Sequence, residues 1–305
     1  MWIINHRKLF YTVSGLLVLA SFASLLVWGL LPGIDFSGGT LADVSYPSGR
    51  PDQSALSAAL SPIDHNVSIR PSGSDEYIVR MKAISQDEQV AVNKALSLNG
   101  TANIVVKNFD TIGPVLGGEA LRKAYVSIIL VIVGIVLYIT FAFRKVSEPV
   151  SSWKYGFVAI IALIHDVIIP TGVFSVLGHF AGYEVDTLFV TALLVILGFS
   201  VHDTIVVFDR VRENLKNSLG SRKPFGEIVG ASISQTFVRS INTSLTTLIA
   251  LVVLYILGGS TTEHFTLALI VGIAAGTYSS IFIGSPLLVT LELWSKKRNE
   301  KKRSA

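Results

Sequence analysis

Asp203 is an ionisable residue inside an otherwise apolar segment of this 305-residue chain. A carboxylic acid in a membrane-spanning helix costs at least ~2.5–3.5 kcal/mol, so it normally faces a bundle interior and a polar or charged partner. The residue type and its position therefore predict a site that takes up and releases a proton. The alternative is a position near the helix end, where Asp203 reaches the interface beside Asp209 and Arg210.

Arg239 is the predicted counter-charge of Asp203. Counting about 20 residues back from Leu257 starts the fifth apolar span near Val238, so the two side chains differ in depth by about one helical turn, ~5 Å. A carboxylate that faces a guanidinium stays ionised, and one released from it in a low-dielectric site takes up a proton. The pair thus has the chemistry of a proton relay. The alternative for Arg239 is snorkelling toward lipid phosphates.

Other polar residues lie at membrane depth and extend the predicted network. Asp166 is closer to mid-membrane than Asp203 and is a further candidate for the relay. Its neighbour His165 is a candidate for the same network, although single histidines in bundles are more often structural. The start of the fifth span is unusually polar, and its side chains either line a water path or bond across helices at roughly 0.6 kcal/mol each. The remaining network candidates are Thr204, His202, Ser240 and Asn242.

Gly272 and Gly276 form a Gly-x-x-x-Gly pair in the last apolar segment. Small residues at this spacing let two helices approach closely. We therefore predict close helix packing at these positions, and no gating role follows from the spacing.

The composition indicates a polytopic α-helical membrane protein. Half of the residues are hydrophobic and 15% are charged, whereas soluble domains have about 25% charged residues. Several stretches of about 20 apolar residues are long enough to cross a ~30 Å hydrocarbon core. The net charge of +4 arises from basic residues beside these stretches, which argues against nucleic-acid binding.

The chain has no cysteine, and its six histidines are scattered. The sequence therefore predicts no disulfide and no metal site, since paired ligand spacing is missing. We expect no cofactor and no enzymatic activity, because no catalytic constellation occurs in the polar segments.

Six apolar segments predict six transmembrane helices. Short connections rich in Lys and Arg alternate with short connections that have none, which places both termini in the cytoplasm. The amphipathic segment 225–237 is either a lateral helix on the inner surface or the beginning of the fifth helix. The predicted spans are 10–31, 124–143, 155–177, 188–208, 238–257 and 265–293.

The long polar stretch 32–120 predicts one extracytoplasmic domain between helices 1 and 2. Alternation and turn signals give the order strand, helix, strand, strand, helix, strand of a ferredoxin-like α+β fold. The second helix of this domain opens with the capping-box pattern SQDE at 85–88. The predicted division of the chain is 1–31, 32–120, 121–293 with a cytoplasmic loop at 209–237, and a basic tail at 294–305.

Four motifs occur in order along nearly the whole chain: GIDFSGG at 33–39, GFSVHDTIVVFDRVREN at 198–214, SISQTFVRSINTSLTT at 232–247 and GTYSSIFIGSP at 276–286. Together they resemble the SecF family of the bacterial Sec protein-export machinery, within the resistance-nodulation-division superfamily. In this resemblance Asp203 matches the family's membrane carboxylate and Arg239 its buried arginine. His202 departs from the pattern, in which a small polar residue such as Asn is expected.

The resemblance implies a heterodimer with SecD in the bacterial inner membrane, and a role beside the SecYEG channel, the SecA motor and auxiliary membrane subunits. It implies that protons crossing the membrane assist late steps of preprotein export, with the other acid of the relay in SecD. Two alternatives stay open. One is a proton-coupled exporter of lipids or small molecules from the same superfamily, and the other is a membrane scaffold without transport chemistry.

Overall fold

The computed structural model describes residues 1–144, 152–218 and 223–303, which form two compact units. One unit is Pro32–Tyr125 and the other contains the rest of the described chain. In chain order the elements are α1 (Trp2–Asn5), α2 (Arg7–Val27), α3 (Ile34–Ser37), β1 (Gly39–Ser45), α4 (Gln53–Leu60), β2 (Ser68–Ser72), β3 (Glu76–Met81), α5 (Gln86–Leu96), β4 (Val105–Ile112), α6 (Pro114–Ala142), α7 (Ser152–Ala181), α8 (Thr187–Asn217), α9 (Phe225–Leu257), α10 (Ser260–Ser279), a π-helical turn (Ser280–Gly284) and α11 (Ser285–Arg303).

The unit Pro32–Tyr125 is an α+β fold with a four-stranded antiparallel sheet in the order β2-β3-β1-β4. Its strands and helices follow the order predicted from the sequence. Ala42, Val44 and Tyr46 alternate onto the core face of β1, where they meet buried residues of α4 and α5. The capping box at the start of α5 is present in full, because Ser85 and Glu88 exchange hydrogen bonds with each other's backbone.

Tyr46 gives this unit a defined response to alkaline pH. The side chain is fully buried, its hydroxyl donates to the Leu96 carbonyl oxygen at 3.1 Å, and burial raises the pKa of Tyr46 from 10.0 to about 12. The folded state thus binds the phenolic proton more tightly than the unfolded state. The stability that this group contributes is fully present below pH 10 and is lost as the pH rises through about 12.

We predict that Tyr46→Phe lowers the free energy of unfolding of this unit at neutral pH by about 1 kcal/mol, through the lost hydrogen bond. The variant loses less further stability than the wild type between pH 10 and about pH 12. The strand band in the infrared spectrum of the full chain measures this difference. An equal loss of stability in the wild type and in Tyr46→Phe over this pH range would rule out Tyr46 as the titrating group.

Among the described residues, six helices are long and apolar enough to cross a membrane, as predicted. The chain is therefore a multi-pass helical membrane protein. Several of these helices extend beyond the apolar segments that identified them. Helix α6 begins at Pro114, ten residues before the predicted span, and α8 continues to Asn217.

The segment 225–237 is the first part of one continuous helix, α9, which ends at Leu257. Much of the interval 209–237, expected as a loop, is accordingly helical, because the charged end of α8 and the amphipathic start of α9 both continue their helices. Residues 219–222 of that interval, like residues 304–305 of the basic tail, lie outside the described part of the chain.

The last span is interrupted by the π-helical turn Ser280–Gly284 between α10 and α11. Such turns place one extra residue in a helix and are frequent at functional sites. This turn holds Ser280 and Gly284, both buried, next to the polar groups described below.

Candidate functional site

Asp166 is the centre of a buried hydrogen-bonded cluster that joins four helices. Its side chain on α7 is fully buried. The Ser279 Oγ atom of α10 donates to its Oδ2 atom at 2.9 Å, and the Ser200 Oγ atom of α8 donates to the same oxygen. The His165 Nδ1 atom lies 2.9 Å from the other carboxylate oxygen, Oδ1. These contacts compensate the carboxylate for its removal from water.

His165 connects this cluster to the first transmembrane helix. Its Nε2 atom lies 2.8 Å from the Ser14 Oγ atom of α2. Both ring nitrogens of His165 therefore have a hydrogen-bonding partner. Ser14 is one of only three buried residues of α2, all serines. Helix α2 therefore makes a polar contact with the bundle that leads directly to Asp166.

Asp203 forms a second centre, one turn from Ser200 along α8. Its side chain is 3% exposed, and Ser240 and Ser244 of α9 lie beside it. The Asp203 Oδ2 and Ser240 Oγ atoms nevertheless make no hydrogen bond of normal geometry within the described residues. The Thr277 Oγ1 atom of α10 lies 2.6 Å from the Ser244 Oγ atom and 2.8 Å from the Ile273 carbonyl oxygen. Protonation would change the Asp203 carboxyl group from an acceptor only into a donor toward the neighbouring hydroxyl oxygens.

Two further buried hydroxyl groups connect α8 and the π-helical turn beside the Asp166 cluster. The Thr204 Oγ1 and Ser280 Oγ atoms are 2.8 Å apart, and Ser280 donates to the Ser200 carbonyl oxygen at 3.2 Å. Ser200 in turn donates to Asp166. A run of buried polar groups thus extends from α2 through α7 and α8 to the π-helical turn.

Arg239, Asn242 and His202 lie on the exposed side of their helices. Within the described residues, Arg239 and Asp203 form no ion pair. The structure therefore places Asp203, Asp166, His165, Thr204 and Ser240 together. It leaves the other three candidates on the outer surface of α8 and α9.

Gly272 and Gly276 bring α10 close to α8. A Cβ atom built on Gly272 would lie 2.1 Å from the Ile196 Cδ1 atom, and one on Gly276 would lie 3.0 Å from the Ser200 Cβ atom. Because neither glycine has a side chain, Ile196 and Ser200 of α8 can lie in close contact with α10.

We predict that Gly272→Ala destabilises the protein by about 1–3 kcal/mol through overpacking against Ile196. Ile196→Ala in the same chain should recover part of the loss. The matched control is Gly198→Ala, because nothing lies within 4 Å of a Cβ atom there and Ala favours a helix by about 1 kcal/mol. Thermal unfolding in detergent measures all four proteins, and equal melting temperatures for the two Gly→Ala variants would contradict the packing account.

Sequence reasoning missed four hydroxyl groups of the cluster, Ser14, Ser200, Ser279 and Ser280. Serine inside an apolar helix normally bonds to its own backbone or allows close packing, so no local pattern distinguishes these residues. Their common feature is burial with a hydrogen bond to another residue of the cluster, which only the fold reveals. Within the described residues no group of three or more His, Cys, Asp or Glu side chains is arranged to hold a metal ion.

The fold and the site define a class of protein, the polytopic helical membrane proteins with acidic residues buried among their helices. The family model for the protein export membrane protein SecD/SecF, C-terminal, matches residues 91–294. A protein translocase subunit SecF from Thermobaculum terrenum is 41% identical over 95% of this chain and 93% of its own length. The chain therefore belongs to the SecF family of protein translocase subunits.

A protein translocase subunit SecDF from Thermus thermophilus is 32% identical over the whole of this chain, which spans 41% of the longer protein. A crystal structure of SecDF from the same organism, described as a translocon-associated membrane protein, superposes with a TM-score of 0.82 at 31% identity. It covers 95% of this chain, and the chain spans 38% of that structure. In that organism the SecF-like part is thus one portion of a larger polypeptide.

Proposed function

We propose that this chain works with a separate SecD-like partner as a proton-driven subunit of the Sec translocase in the bacterial inner membrane. In this proposal both termini are cytoplasmic and the unit Pro32–Tyr125 lies outside. Protons moving down their gradient are taken up and released at Asp203, with Arg239 and Asp166 as further members of the relay. The pair assists the late steps of preprotein export through SecYEG, after SecA and beside auxiliary membrane subunits.

The observation that carries the proposal is the pair of carboxyl groups, Asp166 and Asp203, that are buried beside hydroxyl groups of α8, α9 and α10. Such groups are costly in a membrane and would be replaced by apolar residues if only packing were required. Asp166 is fully satisfied by its donors, whereas one oxygen of Asp203 is not. Asp203 is therefore the group whose protonation changes the hydrogen bonding of the bundle.

The exposed polar surface of α9 supports a membrane-embedded partner. Arg239, Asn242 and Thr246 are exposed and share one stripe, since residues three, four and seven apart lie on the same helix face. His202 is exposed on the adjacent helix α8. Lipid tails offer these groups no hydrogen bonds, so a partner helix with polar or acidic residues at that depth fits this surface better than lipid.

The energy available is adequate for the task. One charge crossing a potential of 100 mV releases about 2.3 kcal/mol, which is comparable with the cost of exposing or burying one hydrogen-bonded carboxyl group. A few protons per cycle therefore suffice to move the bundle between two arrangements.

Preprotein export into inverted membrane vesicles tests the proposal. Vesicles without this chain should keep ATP-driven export and lose the stimulation by a proton gradient, and adding the chain back with its SecD-like partner should restore it. Full gradient stimulation without the chain would contradict the proposal. Transport of a lipid or drug by the pair in liposomes without Sec components would instead indicate a small-molecule exporter.

A further inference from the structure

A compact apolar layer lies inside the bundle between the buried carboxyl groups and the end at which α7 connects to α8. The layer is formed by apolar side chains that are all at most 9% exposed. On α8 it extends from Phe189 to Ile196, a rise of about 10 Å, and Ser200 follows one turn later. The members of this apolar layer are Phe174, Val185, Phe189, Ala192, Leu193, Ile196, Ala268 and Leu269.

A cluster of titratable side chains lies on the far side of the apolar layer. The Tyr183 hydroxyl donates to the Glu263 Oε1 atom at 2.7 Å, and the Tyr183 ring stacks on His264 with centroids 4.1 Å apart. Burial and then the neighbouring Glu263 raise the pKa of Tyr183. Two more titratable groups act on this cluster, Tyr255 from α9 on Tyr183 and Asp186, the N-cap of α8, on His264.

Tyr183 connects the titratable cluster directly to the apolar layer. Its ring packs edge-on against Phe174 at 6.1 Å, and Phe174 packs against Phe189 at 4.5 Å. Deeper in the layer, Ile196 fills the space that Gly272 leaves on α10. Because close-packed apolar side chains give water no hydrogen-bonding partners, a layer of this kind stays dry.

We propose that protons reach Asp203 and Asp166 from the Tyr183–Glu263–His264 cluster, and that the apolar layer is the closed gate which they must cross. This inference rests on the proposed proton-driven function. Hydrophobic constrictions conduct only when they become hydrated. The structure thus represents a state in which the carboxyl groups are sealed from the α7–α8 end. Export would require α8 and α10 to separate at Ile196 and Gly272.

Proton entry into liposomes that contain the chain and its SecD-like partner tests the gate. Ile196→Asn should raise the rate of proton entry by at least about tenfold, which corresponds to 1.4 kcal/mol of barrier. The matched control is Val195→Asn, since Val195 is 47% exposed on the same helix turn while Ile196 is fully buried. The leak should fall when Asp203→Asn is combined with Ile196→Asn, because Asp166 is then the one remaining acceptor of the proposed route.

A substitution at a second position keeps the gate testable if Ile196→Asn does not fold. Leu269→Ser opens the apolar layer from α10 and should leak in the same way. Wild-type rates of proton entry in both correctly assembled variants would overturn the gate, as would a leak that Asp203→Asn leaves unchanged. Gradient-stimulated export by the wild type in the same preparation tests the proposed function separately, so a failed gate and a failed relay give different results.

The role of the Tyr183–Glu263–His264 cluster is tested in the Ile196→Asn variant. Glu263→Gln added to Ile196→Asn should slow proton entry severalfold, because the hydrogen-bonded acid above the opened layer is lost. Glu227→Gln, an exposed acid at the start of α9, is the matched control and should have no effect. An unchanged leak with Glu263→Gln would overturn the assignment of the cluster as the point of entry.

Discussion

Asp203→Asn is expected to abolish the stimulation of preprotein export by a proton gradient while ATP-driven export continues. Asparagine has the size of aspartic acid and fits beside Ser240 and Ser244, but it neither takes up nor releases a proton at this site. The measurement is export into inverted membrane vesicles with ATP, with and without the gradient, after equal assembly has been confirmed.

Asp209→Asn is the matched control for this experiment. It is the same chemical change on the same helix, and Asp209 is exposed in a surface ion pair with Arg212. We expect normal gradient stimulation in this variant, since exposed ion pairs contribute at most about 1 kcal/mol. Equal stimulation of wild type and Asp203→Asn would show that the acid is structural and would favour the scaffold function.

Asp166→Ala is expected to have the largest effect on stability. Removing the carboxylate leaves His165, Ser200 and Ser279 without their acceptor in a buried site. Breaking a buried charged network in this way costs about 3–5 kcal/mol. Thermal unfolding of the purified chain in detergent should show a strongly lowered melting temperature.

Ser279→Ala provides the comparison for Asp166→Ala, because it removes one donor and leaves the carboxylate with two others. The expected loss is about 1 kcal/mol. If Asp166→Ala melts no earlier than Ser279→Ala, the network around Asp166 does not hold α7, α8 and α10 together, and the account of the site is wrong.

The sequence predicted the six spans because each apolar stretch is as long as a membrane is thick. Hydropathy reports the apolar part of a helix and not its end, which is why the charged end of α8 up to Asn217 was expected as a loop. The order of elements in the α+β unit followed from alternation and turn residues. The pairing of β1 with β3 and β4 depends on contacts distant in sequence, which no local pattern contains.

The sequence predicted those parts of the candidate site in which a single residue type is unusual for its surroundings. Asp203 and Asp166 stand out because acids are rare in apolar helices. The expected contact between Asp203 and Arg239 was inferred from depth alone, and depth does not determine the helix face. In the structure Ser240, the residue after Arg239, faces the bundle in its place.

Infrared difference spectroscopy tests most directly whether the protonation of Asp203 changes with the proton gradient. The assembled complex in membranes is compared with and without an imposed proton gradient. We predict a carboxyl band that appears or disappears with the gradient, is absent in Asp203→Asn and is retained in Asp209→Asn. A spectrum without any carboxyl change, or a band unaffected by Asp203→Asn, would contradict the account.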